Sequence, residues 1–131
     1  MTGSGAFTTT AVTTSVHTFN GYLIVTQDLT LTATGTLNGV VVGTDTVILN
    51  AATGNGYIFG SGTYTGTVGT SLPGTAHMNF AGTVTAGTII NIGFTLSQGT
   101  GGLSGLRATG TAQGVFNVGG TYTVRYSFNN D

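Results

Sequence analysis

The segments Ile89–Leu96 (IINIGFTL) and Tyr122–Phe128 (YTVRYSF) decide the fold class, because both alternate apolar and polar residues with a period of two. From Ile90 in the first segment and Tyr122 in the second, the even positions carry the aliphatic or aromatic side chains. This alternation is typical of a strand that buries one face and exposes the other. We therefore predict two strands, separated by a glycine-rich corner at Gly99–Gly110.

Outward from these segments the chain reads as further strands separated by turn signals, and no stretch sustains a helical period. Asn20-Gly21 and Asn38-Gly39 suit tight hairpin turns, since Asn and Gly both tolerate a positive φ. Further turns are predicted at Ala51–Gly56, Ser71–Gly74 and Asn117–Gly120. About eight strands at this spacing predict an all-β fold, a single antiparallel eight-strand barrel, with a β-sandwich as the alternative.

A chain of 131 residues is long enough for one domain with a single core. Phe7–Val16 is rich in threonine and has few large apolar residues. Residues 1–18 are therefore predicted to form an edge strand or a mobile arm, and residues 19–131 to form the barrel domain.

The composition favours contact between copies of the chain. Charged residues make up 4% of the sequence, with no lysine and no glutamate, and the formal net charge is −1. Such a chain has no electrostatic attraction for nucleic acid, and it lacks the edge lysines that discourage strand pairing between molecules. We expect self-association into a homo-oligomer or filament, and no nucleic-acid partner.

The sequence indicates little about the compartment. It begins without the basic region and apolar run of a secretory signal, so either the protein stays inside the cell or Met1 begins a mature form. The compartment is left open, with an extracellular or cell-surface location slightly favoured. No run of 18 apolar residues is present, so membrane insertion is not expected.

Two predicted strands have one face almost bare of side chains. One contains Gly60, Gly62 and Gly66, and the other contains Gly110 and Gly114. Either a large aromatic from a neighbouring strand, such as Phe94 or Tyr126, lies over each bare face, or the bare faces leave a void that holds a ligand.

The corner and the last strand also carry a resemblance. The residues concerned are Gly99, Thr100, Gly101, Leu103, Gly105, Leu106, Arg107 and Gly110, followed by Tyr122, Val124 and Tyr126. Their pattern resembles the signature of an uncharacterised bacterial family of small lipocalin-like barrels, most strongly over residues 99–128. The resemblance implies the barrel shared by allene oxide cyclases and dirigent proteins, and it implies no particular activity.

Residues suited to catalysis are scarce, and we expect no enzyme, no catalytic residue, no metal and no cofactor. Two histidines and three aspartates, without cysteine or glutamate, are a poor set for zinc. His77 is either a base oriented by Asp45 or a solvated strand residue. Arg107 lines a pocket mouth, pairs with Asp28 or Asp45, or binds carbonyl groups of the corner.

Three functions remain open. The first is a structural, self-associating protein that pairs strands between copies, with Phe7, Val12 and Val16 as candidate contacts. The second is carriage of a small apolar ligand inside the barrel. Its candidate pocket residues are Arg107, Tyr64, Phe94, Tyr122 and Tyr126. The third is binding of ice or polysaccharide by Thr-x-Thr pairs such as Thr30/Thr32 and Thr63/Thr65.

Overall fold

The computed structural model describes residues 1–129, which form eight antiparallel strands closed into a barrel in chain order. The strands are β1 (Thr2–Phe19), β2 (Tyr22–Gly35), β3 (Leu37–Asn50), β4 (Gly56–Val68), β5 (Gly74–Thr85), β6 (Ile89–Gly101), β7 (Leu106–Val115) and β8 (Gly119–Phe128). The predicted all-β, eight-strand barrel is confirmed. Positions 130 and 131 of the predicted barrel domain lie outside the described residues. Within the described part there is no helix long and apolar enough to cross a membrane.

The period of two places one face of every strand in a common core. In β6 the buried residues are Ile90, Ile92, Phe94 and Leu96, and the residues between them are exposed. In β8 the same parity buries Tyr122 and Val124. The outer face is rich in threonine, which suits a pleated, half-exposed surface.

The two asparagine-glycine signals have different outcomes. Asn20 and Gly21 adopt positive φ angles of 50° and 81° and form the β1–β2 turn, as predicted. The turn predicted at Asn38-Gly39 is wrong, because both residues lie inside β3. The chain turns earlier, at Gly35, whose φ is 94°. Gly39 instead allows β3 and β4 to lie close together, because a Cβ there would lie 2.9 Å from the Cα of Gly66.

The bare glycine faces lie under aromatic side chains. A Cβ on Gly110 would lie 2.5 Å from Cζ of Phe94, and a Cβ on Gly60 would lie 2.8 Å from Cζ of Phe80. The expected aromatic neighbour is therefore present at Gly110, where it is Phe94, and at Gly60, where it is Phe80, whereas Gly66 and Gly114 approach the backbone of a neighbouring strand. Gly60 and Gly110 make room for rings that fill the barrel interior.

The N-terminal segment is a strand of the barrel wall over its first part. Thr2–Thr8 pairs with β8 and closes the ring, and β2 pairs with β1 from Gly5 to Phe19. Within the described residues, strand pairing along Val12–Phe19 is with β2 alone. We call the other side of this stretch the open edge.

Candidate functional site

A cavity of about 40 Å³ lies inside the barrel, beside the turn that joins β7 to β8. Its polar lining consists of Thr9, Gln27, Asp45 and Asn117. Its apolar lining is formed by Ala11, Leu29, Leu31, Val41, Ile58, Met78, Phe80, Ile92 and Phe116. The lining of the cavity is therefore mostly apolar, with a small polar part.

The strand register brings the two most polar of these side chains together. Gln27 on β2 is directly opposite Asp45 on β3. Both occupy odd positions, the face that also buries Leu29 and Val47 in the core. Gln27 is 6% exposed and Asp45 is 4% exposed, so neither reaches bulk solvent.

Three oxygen atoms at this cavity have no hydrogen-bond partner among the described residues. They are Thr9 Oγ1, Gln27 Oε1 and Asp45 Oδ1. A buried polar group without a partner costs roughly 1–3 kcal/mol. Such groups are rare in folded proteins, and their concentration around one cavity indicates a site that accepts hydrogen bonds from something placed there.

Burial also changes the acidity of the carboxyl group. Desolvation of the charged form raises the pKa of Asp45 from 3.8 to about 6. Asp45 is the one titratable side chain that lines the cavity. At neutral pH it therefore carries a negative charge that no lining group balances.

The turn beside the cavity is held on both sides. Asn117, with a φ of 58°, accepts a hydrogen bond at Oδ1 from the Ala11 N–H, 2.7 Å away. The Phe116 N–H donates to the carbonyl oxygen of Thr88 at 2.6 Å. These bonds hold the backbone of Phe116 and Asn117 in place at the cavity. We call the buried pair Gln27 and Asp45 the polar cluster.

Three of the predicted pocket residues lie together, but they fill the core. The Tyr64 hydroxyl donates to the carbonyl oxygen of Thr67 at 2.6 Å, and the ring of Phe94 lies edge-on to that of Tyr122 at 6.4 Å. Burial raises the pKa of both tyrosine hydroxyls. None of the three lines the cavity described above.

The other two predicted pocket residues, Arg107 and Tyr126, line a groove on the outside of β7 and β8. Arg107 is exposed and lies opposite Ser127. The expected pairing of Arg107 with Asp45 is wrong, because Asp45 faces the barrel interior. Tyr126 is half-buried, and its ring contacts Phe128 edge-on.

The suggested acid–base pairs are also separated by the barrel wall. His77 is opposite Thr63 on the outer face, whereas Asp45 points inward, so orientation of His77 by Asp45 is wrong. Asp28 is exposed on the outer face of β2. Asp28 and Asp45 therefore do not share a cleft.

The predicted self-association residues differ in exposure. Val12 is 61% exposed and Val16 is 53% exposed, and both lie along the open edge. Phe7 is 5% exposed and packs in the core of its own chain.

The polar cluster was missed from the sequence, although a signal for it exists. Gln27 shares odd parity with Leu29 and Leu31, and Asp45 shares it with Val41 and Val47. A polar residue on an apolar face predicts a buried polar group. The neighbouring threonines at positions 44 and 46 obscured this parity, because they make the whole segment look polar.

The fold and site together define a closed, eight-stranded antiparallel barrel with a small internal polar site. The chain matches, with a TM-score of 0.83, the crystal structure of a protein of unknown function from the DUF3224 family of Shewanella oneidensis MR-1. The match covers 100% of this chain and 98% of that chain at 17% sequence identity, and it therefore concerns the fold. No family model and no curated protein matches the sequence. Membership of the lipocalin-like family that the corner resembles stays a prediction.

Proposed function

We propose that this chain is a non-enzymatic, self-associating barrel protein whose copies pair through the open edge of β1. The observation that carries the proposal is that Val12–Phe19 pairs with β2 on one side and with no strand of the described chain on the other. An edge of this kind presents unpaired N–H and C=O groups that match the same groups of a second copy.

The side chains around the edge support the same conclusion. Val12, Val16, Phe19 and Tyr22 are all exposed large apolar residues within one hairpin. Natural edge strands are usually protected by lysine or proline, and this hairpin has neither. Pairing of two edges brings exposed apolar side chains of the two copies next to each other and removes part of their surface from water.

The strand register limits how far the pairing extends. The register of β1 against β2 shifts between Thr13 and Ser15, which is a β-bulge. A bulge twists a strand and interrupts an extending ladder. The bulge therefore divides the open edge into a short part that contains Val12 and a longer part, Ser15–Phe19. A two-fold dimer in which this edge contacts itself, with Val12 and Val16 on the two sides of the bulge, is the assembly that these residues favour.

The test compares two double variants by sedimentation velocity across a range of protein concentrations. Val12→Lys with Val16→Lys places like charges on both sides of the dimer and is expected to weaken association at least about tenfold. The control is Val40→Lys with Val42→Lys on the outer face of β3. Val42 is 61% exposed, the same as Val12, but β3 has strand partners on both sides. A wild-type protein that stays monomeric at millimolar concentration contradicts the proposal.

Carriage of a small apolar ligand inside the barrel is less well supported. Pockets for drug-sized molecules have volumes of roughly 300–1,000 Å³. The internal cavity has about 40 Å³, because aromatic rings occupy the rest of the interior.

A further inference from the structure

The three unpaired oxygens of the internal cavity have a common chemical property: each can accept a hydrogen bond. Gln27 Oε1 and Asp45 Oδ1 are acceptors, and Thr9 Oγ1 accepts while its own proton is free to turn away. The matching ligand is therefore a donor of several hydrogen bonds. A primary ammonium group has three N–H donors and no acceptor.

The charge of the site leads to the same ligand class. Asp45 is the one titratable side chain in the lining, and no cationic side chain lies among the lining residues. A cation placed there gains a charge-assisted hydrogen bond to the carboxylate. The lining also contains Phe80 and Phe116, and aromatic rings attract cations.

The size of the cavity limits the ligand. A volume of about 40 Å³ compares with the roughly 30 Å³ that one water molecule occupies in the liquid. The space is therefore only slightly larger than one water molecule, and methylammonium, the smallest alkylammonium ion, is the one that it suits best. The walls Leu29, Val41 and Ile58 are apolar and suit a short alkyl group.

We propose that this cavity binds the ammonium group of a small primary alkylamine, held by hydrogen bonds to Gln27 and Asp45, which are directly opposite each other on β2 and β3. The site does not rest on self-association, because its residues face the barrel interior and the open edge of β1 lies outside. Binding satisfies the buried oxygens of Gln27 and Asp45 together. It also balances the buried charge of Asp45.

The test uses methylammonium chloride as the probe and nuclear magnetic resonance of the labelled protein as the readout. Saturable shifts are expected for the Gln27 side-chain amide and the Asp45 backbone amide. Tetramethylammonium carries the same charge without an N–H donor and is expected to produce no such shifts. Sodium chloride at equal ionic strength serves as the second reference.

Two variants with the same chemical change identify the residue responsible. Asp45→Asn is expected to weaken methylammonium binding at least about tenfold, since it removes the charge from the hydrogen bond. Asp28→Asn makes the same change one residue beyond Gln27 on the exposed face of β2 and is expected to leave binding unchanged.

Several results would overturn the proposal. Equal shifts with methylammonium and tetramethylammonium mean that the response reports ionic strength or nonspecific contact. Unchanged affinity in Asp45→Asn places the probe elsewhere. A crystal grown in methylammonium that shows only water at the three oxygens, with no saturable shift in solution, identifies the cavity as a hydration site.

Discussion

The Tyr122 hydroxyl donates a hydrogen bond to the carbonyl oxygen of Thr34, 2.7 Å away on the other side of β1. The oxygen of the same hydroxyl accepts a hydrogen bond from the buried Leu37 N–H at 2.8 Å. The Tyr122 side chain on β8 therefore provides hydrogen-bond partners for two backbone groups at the β2–β3 turn, the Thr34 carbonyl and the Leu37 N–H. This buried tyrosine links β8 to a turn that is more than eighty residues away in sequence.

Tyr122→Phe is expected to lower the free energy of unfolding by roughly 1–3 kcal/mol, because it leaves the Leu37 N–H buried without an acceptor. Urea denaturation measures the change. Tyr57→Phe is the matched control, since Tyr57 is 65% exposed and its loss of a hydroxyl is expected to have little effect. Equal stability of the two variants would show that the Tyr122 bonds contribute nothing.

Asp45 makes stability depend on pH. Its pKa is about 6 in the folded chain and 3.8 in the reference state, so the folded chain binds the proton more tightly. The resulting stabilisation is complete below about pH 4 and is lost as the pH rises through 6, a difference of roughly 3 kcal/mol. Asp45→Asn is expected to be more stable than wild type at pH 7.5 and to have a flatter pH profile. Thermal melts from pH 4 to pH 8 test this, and Asp28→Asn should retain the wild-type slope.

Gly110→Ala tests the packing of Phe94 against the bare face of β7. The added methyl group would overlap both the Thr123 carbonyl oxygen and Cζ of Phe94, the latter 2.5 Å away, and overpacking of a filled core costs about 1–3 kcal/mol. Gly93→Ala is the control on the paired strand, because the nearest atom to a Cβ there is the Gly110 oxygen at 3.9 Å. Denaturation of both variants should show a loss in the first and little change in the second. A tolerated Gly110→Ala would mean that both the Phe94 ring and the β8 backbone at Thr123 move away at little cost.

Phe7→Ala tests whether the first strand is part of the stable core. Phe7 is 5% exposed, and removal of a buried phenylalanine side chain costs roughly 3–5 kcal/mol. Phe19→Ala, in the same strand, removes a side chain that is 67% exposed and is expected to change stability by less than about 0.5 kcal/mol. Both variants are measured at low protein concentration, so that self-association does not contribute to the measured stability. Equal effects would mean that residues 1–18 act as a loosely attached arm.

Local patterns were sufficient to predict the strands but not all of the connections between them. The alternation in Ile89–Leu96 depends on neighbouring residues alone, so β6 was visible in the sequence. Gly39 was misinterpreted because a glycine serves equally well for a turn and for close approach between strands, and only the β3–β4 register distinguishes the two.

The candidate site was harder to predict because it depends on residues far apart in sequence. Thr9, Gln27 and Asp45 belong to three strands, and the cavity exists only after the ring closes. Tyr64 and Tyr122 were predicted to line a pocket, but their hydroxyl groups donate hydrogen bonds to backbone carbonyl oxygens. The type of side chain alone does not distinguish a hydroxyl that binds a ligand from one that binds the backbone.

The pairing of Thr2–Thr8 with Gly119–Arg125 has a consequence for biosynthesis. During translation the first strand emerges long before its partner. The backbone N–H and C=O groups of Thr2–Thr8 that pair with β8 therefore have no strand partner until Gly119–Arg125 has left the ribosome. Ring closure then requires contact between residues more than a hundred positions apart, which is intrinsically slow. Nascent chains are most vulnerable to chaperone capture and misassembly during that interval.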